Sequence, residues 1–497
     1  MSTTAAARSQ STALSLRDRL KHPALLREAC YIDGQWTGTP ETVVSNPVND
    51  LELGRVPKLG ATEATQAVEA AQRAFPAWAK LTAKQRSNIM RKWYELIVAN
   101  REDLALILTS EQGKPLTEAL GEVDIGAAYV EFFAEEARRV YGETIPTQRP
   151  DARLIAIKQP IGVCGAITPW NFPNSMITRK VSPALAAGCT VVLKPANETP
   201  FSALALAALA EQAGLPNGVF NIVTGHASAI GKVLCEHPAV RFVGFTGSTE
   251  VGKILYQQAA VGVKKLGLEL GGNAPFIVFD DADVDAAVDG AMVSKYRNMG
   301  QTCVCANRIY VQDGVYDAFV EKLAAKVGAM TIGDGTEPGV TQGPLINQAA
   351  VEKTERHIAD AVANGATIVI GGKRHARGGT FFEPTVLANV KPDALVAHEE
   401  TFGPLAPVFR FKTEEEVIKL ANDSPFGLAS YFYARDLGRV WRVAEALEAG
   451  MVGVNSGLIT TEVAPFGGVK ESGLGREGSH HGMEDYVEIK YVMMAGI

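Results

Sequence analysis

Two residues of this chain have types and surroundings suited to covalent chemistry. Cys303 stands among small and polar residues in Asn298-Met299-Gly300-Gln301-Thr302-Cys303-Val304-Cys305-Ala306-Asn307-Arg308, and Glu269 sits in the largely apolar run Leu268-Glu269-Leu270-Gly271-Gly272-Asn273. A thiol that attacks a carbonyl can pass through an acyl thioester. A carboxylate that activates water can then release it, if the fold closes the 34 residues between Glu269 and Cys303. A lone cysteine is more often a small buried residue than a nucleophile. Polar Gln301 and Thr302 before Cys303, with no long apolar run, favour reactivity. An unpaired carboxylate in an apolar strand end is costly, and burial raises its pKa toward the range of a general base.

A third group is Asn171 in Trp170-Asn171-Phe172-Pro173. Its neutral amide, on a proline-stiffened loop, can donate to an oxyanion without being charged. The alternative is an Asx-turn in a tight loop.

These residues need a scaffold. Residues 62 to 108 read as helical, with Ile89, Trp93, Leu96 and Ile97 on one face. From Ile161 to Leu270 short apolar runs alternate with helical segments. Strands are predicted at Val163–Ile167, Thr190–Leu193, Val219–Val223, Arg241–Phe245 and Lys264–Leu270, with helices at Ser202–Ala213 and Thr249–Ala259. That alternation predicts an α/β fold with a doubly wound parallel sheet, because parallel neighbours need long crossovers. A second α/β series, the one expected to hold Cys303, runs from Ala274 to about Gly453. Its helices fall near Asp317–Met330 and Ala349–Ala363, and its strands near Thr367–Ile370 and Ser430–Tyr433. The tail Tyr486–Val492 alternates like a strand outside either series, which predicts pairing with another segment or subunit.

At 497 residues the chain is long enough for two or three domains. With 48 basic and 55 acidic residues its formal charge is −7, which argues against a nucleic-acid partner. Six cysteines (Cys30, Cys164, Cys189, Cys235, Cys303, Cys305) are too few and too irregularly spaced for a secreted disulfide framework and point to a reducing compartment. No apolar run approaches the ~18 residues of a membrane helix. Residues 1 to 20 faintly echo an organellar transit peptide, with a plain N-terminal extension the preferred reading; cytoplasm is therefore expected, with the mitochondrial matrix as alternative. The histidines show no metal-ligand spacing, and no metal site is expected.

No G-x-G-x-x-G follows a strand in the sheet region. Instead Phe245-Thr246-Gly247-Ser248-Thr249-Glu250-Val251-Gly252-Lys253 lies between a predicted strand and a predicted helix, where backbone N–H groups favour a phosphate. The spacing mimics a P-loop, but Ile254 replaces the magnesium-binding hydroxyl, so triphosphate hydrolysis is disfavoured. The loop alone fits a phosphate cradle or an ordinary turn. Lys194, closing a strand in Leu193-Lys194-Pro195-Ala196-Asn197-Glu198, puts a cation at the carboxyl end of the sheet and becomes a credible contact for a ribose or its phosphate.

Together these motifs resemble the aldehyde dehydrogenase superfamily from about Tyr31 to the C-terminus. Pro169–Pro173, Lys194–Ala196, Phe245–Ser248, Leu268–Gly272, Gly300–Cys303 and Glu400-Thr401-Phe402-Gly403-Pro404-Leu405 match its motifs in order. The resemblance implies that Cys303 attacks an aldehyde, that the Asn171 amide and the Cys303 N–H hold the oxyanion, and that Glu269 activates the hydrolytic water. It implies a dinucleotide site lined by Trp170, Lys194, Asn197, Gly247, Ser248 and Gly252, with Glu400 and Phe402 on the nicotinamide side and Glu400 on a ribose hydroxyl. Many NAD-preferring relatives carry Glu where this chain has Asn197. Losing that carboxylate removes repulsion of a 2′-phosphate, so NADP is the expected cofactor, with NAD use possible through neighbouring Glu198.

A finer resemblance to the succinate-semialdehyde dehydrogenases lies in Met176–Lys180, Tyr296–Asn298, Cys303–Arg308 and Ser472–Gly478. It implies that Arg179 and Arg297 hold a distal carboxylate, with Thr460 or Thr461 adding a hydroxyl. The expected reaction is oxidation of succinate semialdehyde to succinate, in 4-aminobutyrate breakdown. Glutarate semialdehyde is the rival substrate, since one methylene is worth only ~1–3 kcal/mol in a pocket. A CoA-acylating relative is disfavoured by Glu269, and a catalytically silent protein of the same fold by the complete set Cys303, Glu269 and Asn171. The implied organisation is a dinucleotide-binding domain from 20–139 and 160–270, a catalytic domain from 271–470 and an oligomerisation element from 140–159 and 484–497, in a homodimer or homotetramer. A Cys303–Cys305 disulfide is conceivable but would distort the loop.

Overall fold

The structure, a computed structural model, describes residues 14–496. Most of the stretch read as a faint transit peptide thus lies outside the described residues.

A twisted eight-stranded sheet forms the first half of the molecule. Its central strands Phe220–Ile222, Thr190–Lys194, Val163–Ile167, Val240–Thr246 and Lys265–Glu269 are parallel and adjacent in that spatial order. The predicted strands fall here to within a residue or two. The first strand in sequence, Val163–Ile167, lies in the middle, so the chain winds outward on one side and then restarts on the other. A crevice therefore opens at the carboxyl ends of Val163–Ile167 and Val240–Thr246, where ligands of open α/β sheets bind. The loops leaving those two ends carry Trp170-Asn171 and Gly247-Ser248.

Helices cover both faces. Pro200–Gln212 is buried on every side through Ala210, as its all-apolar sequence requires, and Pro200 supplies a preset first turn. Thr82 and Gln85 form a reciprocal capping box at the start of Ala83–Ala99, whose buried face carries Trp93 and Ile97 with Ile89 and Leu96 partly buried beside them. One long helix, Leu116–Glu136, was not foreseen. It packs closely on the segment after Val163–Ile167: a Cβ on Gly126 would lie 2.2 Å from the Asn174 side-chain oxygen.

The second sheet has seven strands, in the order Thr367–Ile370, Thr385–Ala388, Leu405–Phe411, Ala306–Gln312, Ala274–Val278, Ala429–Tyr433 and Met451–Val454; all are parallel except Thr367–Ile370. Cys303 immediately precedes the strand Ala306–Gln312. The chain then returns, and Gly473–Leu474 adds an antiparallel edge to the first sheet beside Glu269. A third sheet answers the expectation for the tail: Val487–Ala495 pairs antiparallel with Ala152–Pro160 over nine residue pairs, and Glu143–Ile145 pairs on the far side. Among the described residues no helix is long and apolar enough to cross a membrane.

Candidate active site

The two sheets meet around Cys303. The last turn before it, Arg297–Gly300, takes three consecutive left-handed conformations, with φ of 52° at Asn298, 57° at Met299 and 72° at Gly300. Such backbone costs roughly 1–2 kcal/mol per non-glycine residue. Buried hydrogen bonds hold it. The Asn298 N–H donates to Glu118 at 2.8 Å, the Asn298 side-chain amide donates to the Asn171 carbonyl at 3.0 Å, and Gln112 donates to the Asn298 side-chain oxygen at 2.9 Å. Gly272 makes the close approach possible on the other side, because a Cβ there would lie 2.5 Å from the Cys303 carbonyl oxygen. The segment that follows Glu269 thus runs directly against the cysteine backbone.

Cys303 is half-buried and faces a cavity of about 360 Å³. Arg179, Arg297, Thr460, Phe172 and Phe466 share that lining. Thr461 is not in that lining and donates to Glu462 at 3.1 Å. Burial pushes the Cys303 thiol up to about 12, with Arg179 opposing and Glu400 and Glu269 adding to the rise. The resting thiol is protonated at neutral pH.

Glu269 is buried, and neither carboxylate oxygen has a hydrogen-bond partner among the described residues. Burial, reinforced by Glu477, holds it well above the ordinary carboxylate range, against the pull of Arg179, Lys180 and Arg476. It is not among the residues lining the cavity, and it lies close to the Gly467 backbone. The Asn171 side-chain nitrogen donates to the Gln301 carbonyl at 3.0 Å, two residues before Cys303. All three candidate groups therefore converge on one region, two from the carboxyl edge of the first sheet and one from the amino end of a strand in the second.

The two arginines differ. Arg179 is buried and paired with Glu477, which also binds Lys180, and its guanidinium stacks 4.1 Å over Phe466. Burial opposes its charge most, but Glu477, with Tyr129, Glu269 and Cys303 adding to it, outweighs burial and its pKa rises. Arg297 has no carboxylate within ion-pair distance among the described residues and lies 5.3 Å over the Phe172 ring. Both arginines expected to hold a distal carboxylate line the cavity, one paired with Glu477 and the other without an ion-pair partner among the described residues. Glu477 lay in a motif singled out in the sequence, but its pairing with residues 179 and 180 has no local signal.

Of the dinucleotide candidates, Trp170, Lys194, Asn197 and Gly247–Ser248 lie at or just past the carboxyl ends of strands of the first sheet, while Glu400 and Phe402 come from the segment before Leu405–Phe411. Lys194 is buried and donates to the Asn197 side-chain oxygen at 3.0 Å; burial lowers its pKa to about 8, with Glu198 pulling the other way. The Gly247 N–H donates to the Glu269 carbonyl at 3.0 Å, and Ser248 caps the helix Thr249–Ala260. Gly252 has a packing reason instead: its missing Cβ would lie 2.4 Å from a Leu270 methyl group. Lys253, which gave the loop its P-loop look, points away to pair with Glu471 at 2.8 Å. Trp170 and Phe402 meet edge to face at 5.6 Å, and Phe402 itself is left-handed at φ 56°. Glu400 accepts from the Gly272 N–H at 3.2 Å, and burial raises it to about 7. Cys305 turns from the cavity toward Lys295, whose nitrogen lies 3.3 Å from its sulfur; both Cys303 and Cys305 are free thiols.

A half-buried thiol facing a cavity lined by Arg179, Arg297, Glu118 and Glu122, beside a doubly wound sheet whose strand order opens a crevice, is the setting of a thiol-dependent oxidoreductase. The chain belongs to the aldehyde dehydrogenase family, whose sequence model matches residues 36–492. It is 63% identical over 482 residues to the glutarate-semialdehyde dehydrogenase of Pseudomonas aeruginosa, covering 96% of this chain and 100% of that one. It is 61% identical over 477 residues to the NADP(+) succinate-semialdehyde dehydrogenase of Escherichia coli, covering 95% and 99%. The crystal structure of a succinate-semialdehyde dehydrogenase from Burkholderia pseudomallei superposes with a TM-score of 0.95 at 62% identity, covering 96% and 100%.

Proposed function

We propose that this enzyme oxidises succinate semialdehyde to succinate with NADP, through a thioester on Cys303. One observation carries the substrate class: Cys303 and Arg297, a guanidinium with no ion-pair partner among the described residues though Glu118 lines the same wall, share one small cavity. An aldehyde with an anionic tail is drawn in by that charge and held with its carbonyl at the sulfur. Arg179, already balanced by Glu477, adds hydrogen-bond donors rather than net charge, and Thr460 adds a hydroxyl.

The crevice residues fit a dinucleotide. Lys194 supplies a buried cation at the carboxyl end of the sheet, Gly247 and Ser248 lead into a helix N-terminus, Trp170 and Phe402 supply apolar faces, and Glu400 is an acceptor for a ribose hydroxyl. Bound there, the dinucleotide supplies the hydride acceptor. The Cys303 thiol gives its proton to water in the cavity and its sulfur attacks the aldehyde carbon, while the Asn171 amide and the Cys303 N–H carry the developing oxyanion charge. As the C=O re-forms, hydride leaves that carbon for the acceptor and the thioester remains. Glu269 turns from the Gly467 side toward the resulting thioester and takes a proton from the water that hydrolyses it. Free carboxylic acid, not an acyl-CoA, is the product. Asn197 and Lys194 favour a 2′-phosphate, hence NADP over NAD.

The identity to the Pseudomonas aeruginosa relative favours glutarate semialdehyde as the second substrate. Steady-state kcat/KM for both semialdehydes tests the choice: preference for the four-carbon aldehyde is expected, and a strong preference for the five-carbon one reverses it. The sheet of Val487–Ala495, Ala152–Pro160 and Glu143–Ile145 exposes Ile145, Ile489, Tyr491 and Met493 on one side, an apolar face suited to a homodimer or homotetramer contact. Its free thiols suit the reducing cytoplasm.

A further inference from the structure

The turn between the helices Arg101–Gln112 and Leu116–Glu136 carries a lysine with no exposure to solvent. The first helix ends at Gly113, left-handed at φ 96°, and Pro115 leads into the second, so Lys114 is fixed in a tight corner. The far side of that corner is pressed on another part of the chain: Cβ atoms on Gly343 and Gly335 would lie 1.9 Å from the Gly113 oxygen and 2.5 Å from the Lys114 oxygen. The ammonium has three partners. It pairs with Glu122 at 2.6 Å, donates to the Asn171 carbonyl at 2.7 Å, and lies 3.8 Å over the Phe172 ring. Side-chain exposures of 0% for Lys114 and 1% for Glu122 exclude water as a substitute.

Glu122 extends the same grip. Its other oxygen accepts from the Asn174 N–H at 2.8 Å and the Ser175 N–H at 3.2 Å, where the helix Ser175–Ala187 begins. The whole loop from Asn171 to Ser175 is thus held by one buried ion pair from a different helix. Asn298, in the strained turn before Cys303, donates to the same Asn171 carbonyl and so ties the loop to the nucleophile's segment.

We propose that Lys114 and Glu122 are positioning residues for the reaction: their ion pair fixes the Asn171 loop so that its side-chain amide faces the carbonyl that Cys303 attacks. The proposal rests on the oxyanion role given to Asn171 above. A buried charge pair is costly to assemble, and apolar replacements of equal volume often serve stability as well. Its use here is geometric, because three charge-assisted bonds to backbone groups leave the loop one orientation. A displacement of an ångström at a reacting group costs roughly 10²-fold in rate.

The test is a double-mutant cycle read by the single-turnover burst of NADPH with succinate semialdehyde. Asn171→Ala is expected to slow the burst by roughly 10²–10³-fold, as for loss of an oxyanion donor. Lys114→Met is expected to slow it by at least about tenfold in the wild-type background, with the KM for NADP unchanged, and to have no further effect in the Asn171→Ala background. If Lys114→Met does not fold, Lys114→Met/Glu122→Gln, which removes both charges, takes its place in the cycle. An undiminished burst, or the same fractional loss in both backgrounds, overturns the positioning role. If Asn171→Ala alone leaves the burst intact, the oxyanion assignment fails and this proposal falls with it.

Discussion

The Lys194 ammonium lies 3.0 Å from the side-chain oxygen of Asn197, where a carboxylate would make a closed ion pair. With a neutral amide as partner, the lysine keeps its charge for a ligand. Asn197→Glu is expected to lower kcat/KM for NADP by about tenfold or more, equivalent to ~1.4 kcal/mol, and to spare NAD. Steady-state assays with the two cofactors check it, and unchanged discrimination rules the assignment out.

Burial puts the Lys194 pKa at about 8, which gives the cofactor preference a pH dependence. Below that value the group is cationic and attracts the 2′-phosphate; above it the attraction fades. NADP affinity is expected to weaken from about pH 8 upward, while NAD affinity, lacking that phosphate, stays flatter. Equilibrium titration by fluorescence of both cofactors between pH 7 and 9.5 shows it, and Lys194→Arg should abolish the slope.

The inequality of the two arginines predicts different failures. Arg297→Met is expected to reduce kcat/KM for succinate semialdehyde by roughly 10²-fold or more, since a hydrogen bond to a charged group is worth ~1.5–3 kcal/mol and the ionic attraction adds to it. Butanal, which has no carboxylate, should be little affected. Arg179→Met removes one partner of a buried pair and is expected to destabilise the fold by about 3 kcal/mol, at the lower end for such losses because Lys180 still binds Glu477. Denaturant unfolding of the two variants separates the roles.

Glu269 is held well above the ordinary carboxylate range by burial and by Glu477, so its base form grows at higher pH than that of an ordinary carboxylate. Thioester hydrolysis should therefore accelerate with pH, and Glu269→Gln should keep the NADPH burst while lowering turnover by roughly 10²–10⁴-fold. Mass spectrometry of the quenched variant is expected to show the acyl group on Cys303. Loss of burst and turnover together would move Glu269 from hydrolysis to an earlier step.

Much of this molecule is legible in its sequence, for reasons that particular elements make plain. Val163–Ile167 is a strand over the residues its apolar run delimits, because a short apolar run between turn-forming residues has few other ways to be buried. Thr367–Ile370, rich in β-branched residues, is a strand over the expected residues though it is an exposed edge. Thr249–Ala260 starts at Ser248, a capping residue visible in the sequence. The helix Leu116–Glu136 escaped because it is buried on several sides, which blurs the single apolar stripe that marks an amphipathic helix. Lys114 and Glu122 escaped with it.

Sequence alone determined the chemical vocabulary: a cysteine in a polar loop, a carboxylate in an apolar strand, an amide on a stiff turn, and the alternation that builds a parallel sheet. Those features are local, set by residue type and by spacings of a few positions. Only the tertiary structure decided that Arg179 is neutralised while Arg297 is not, that Cys305 faces Lys295 and not Cys303, that Gly252 serves packing, and that Lys114 sits beneath Asn171. Charge and hydrogen-bond pairing act through space over a few ångströms. Their partners come from segments far apart in the chain, so no local pattern records them.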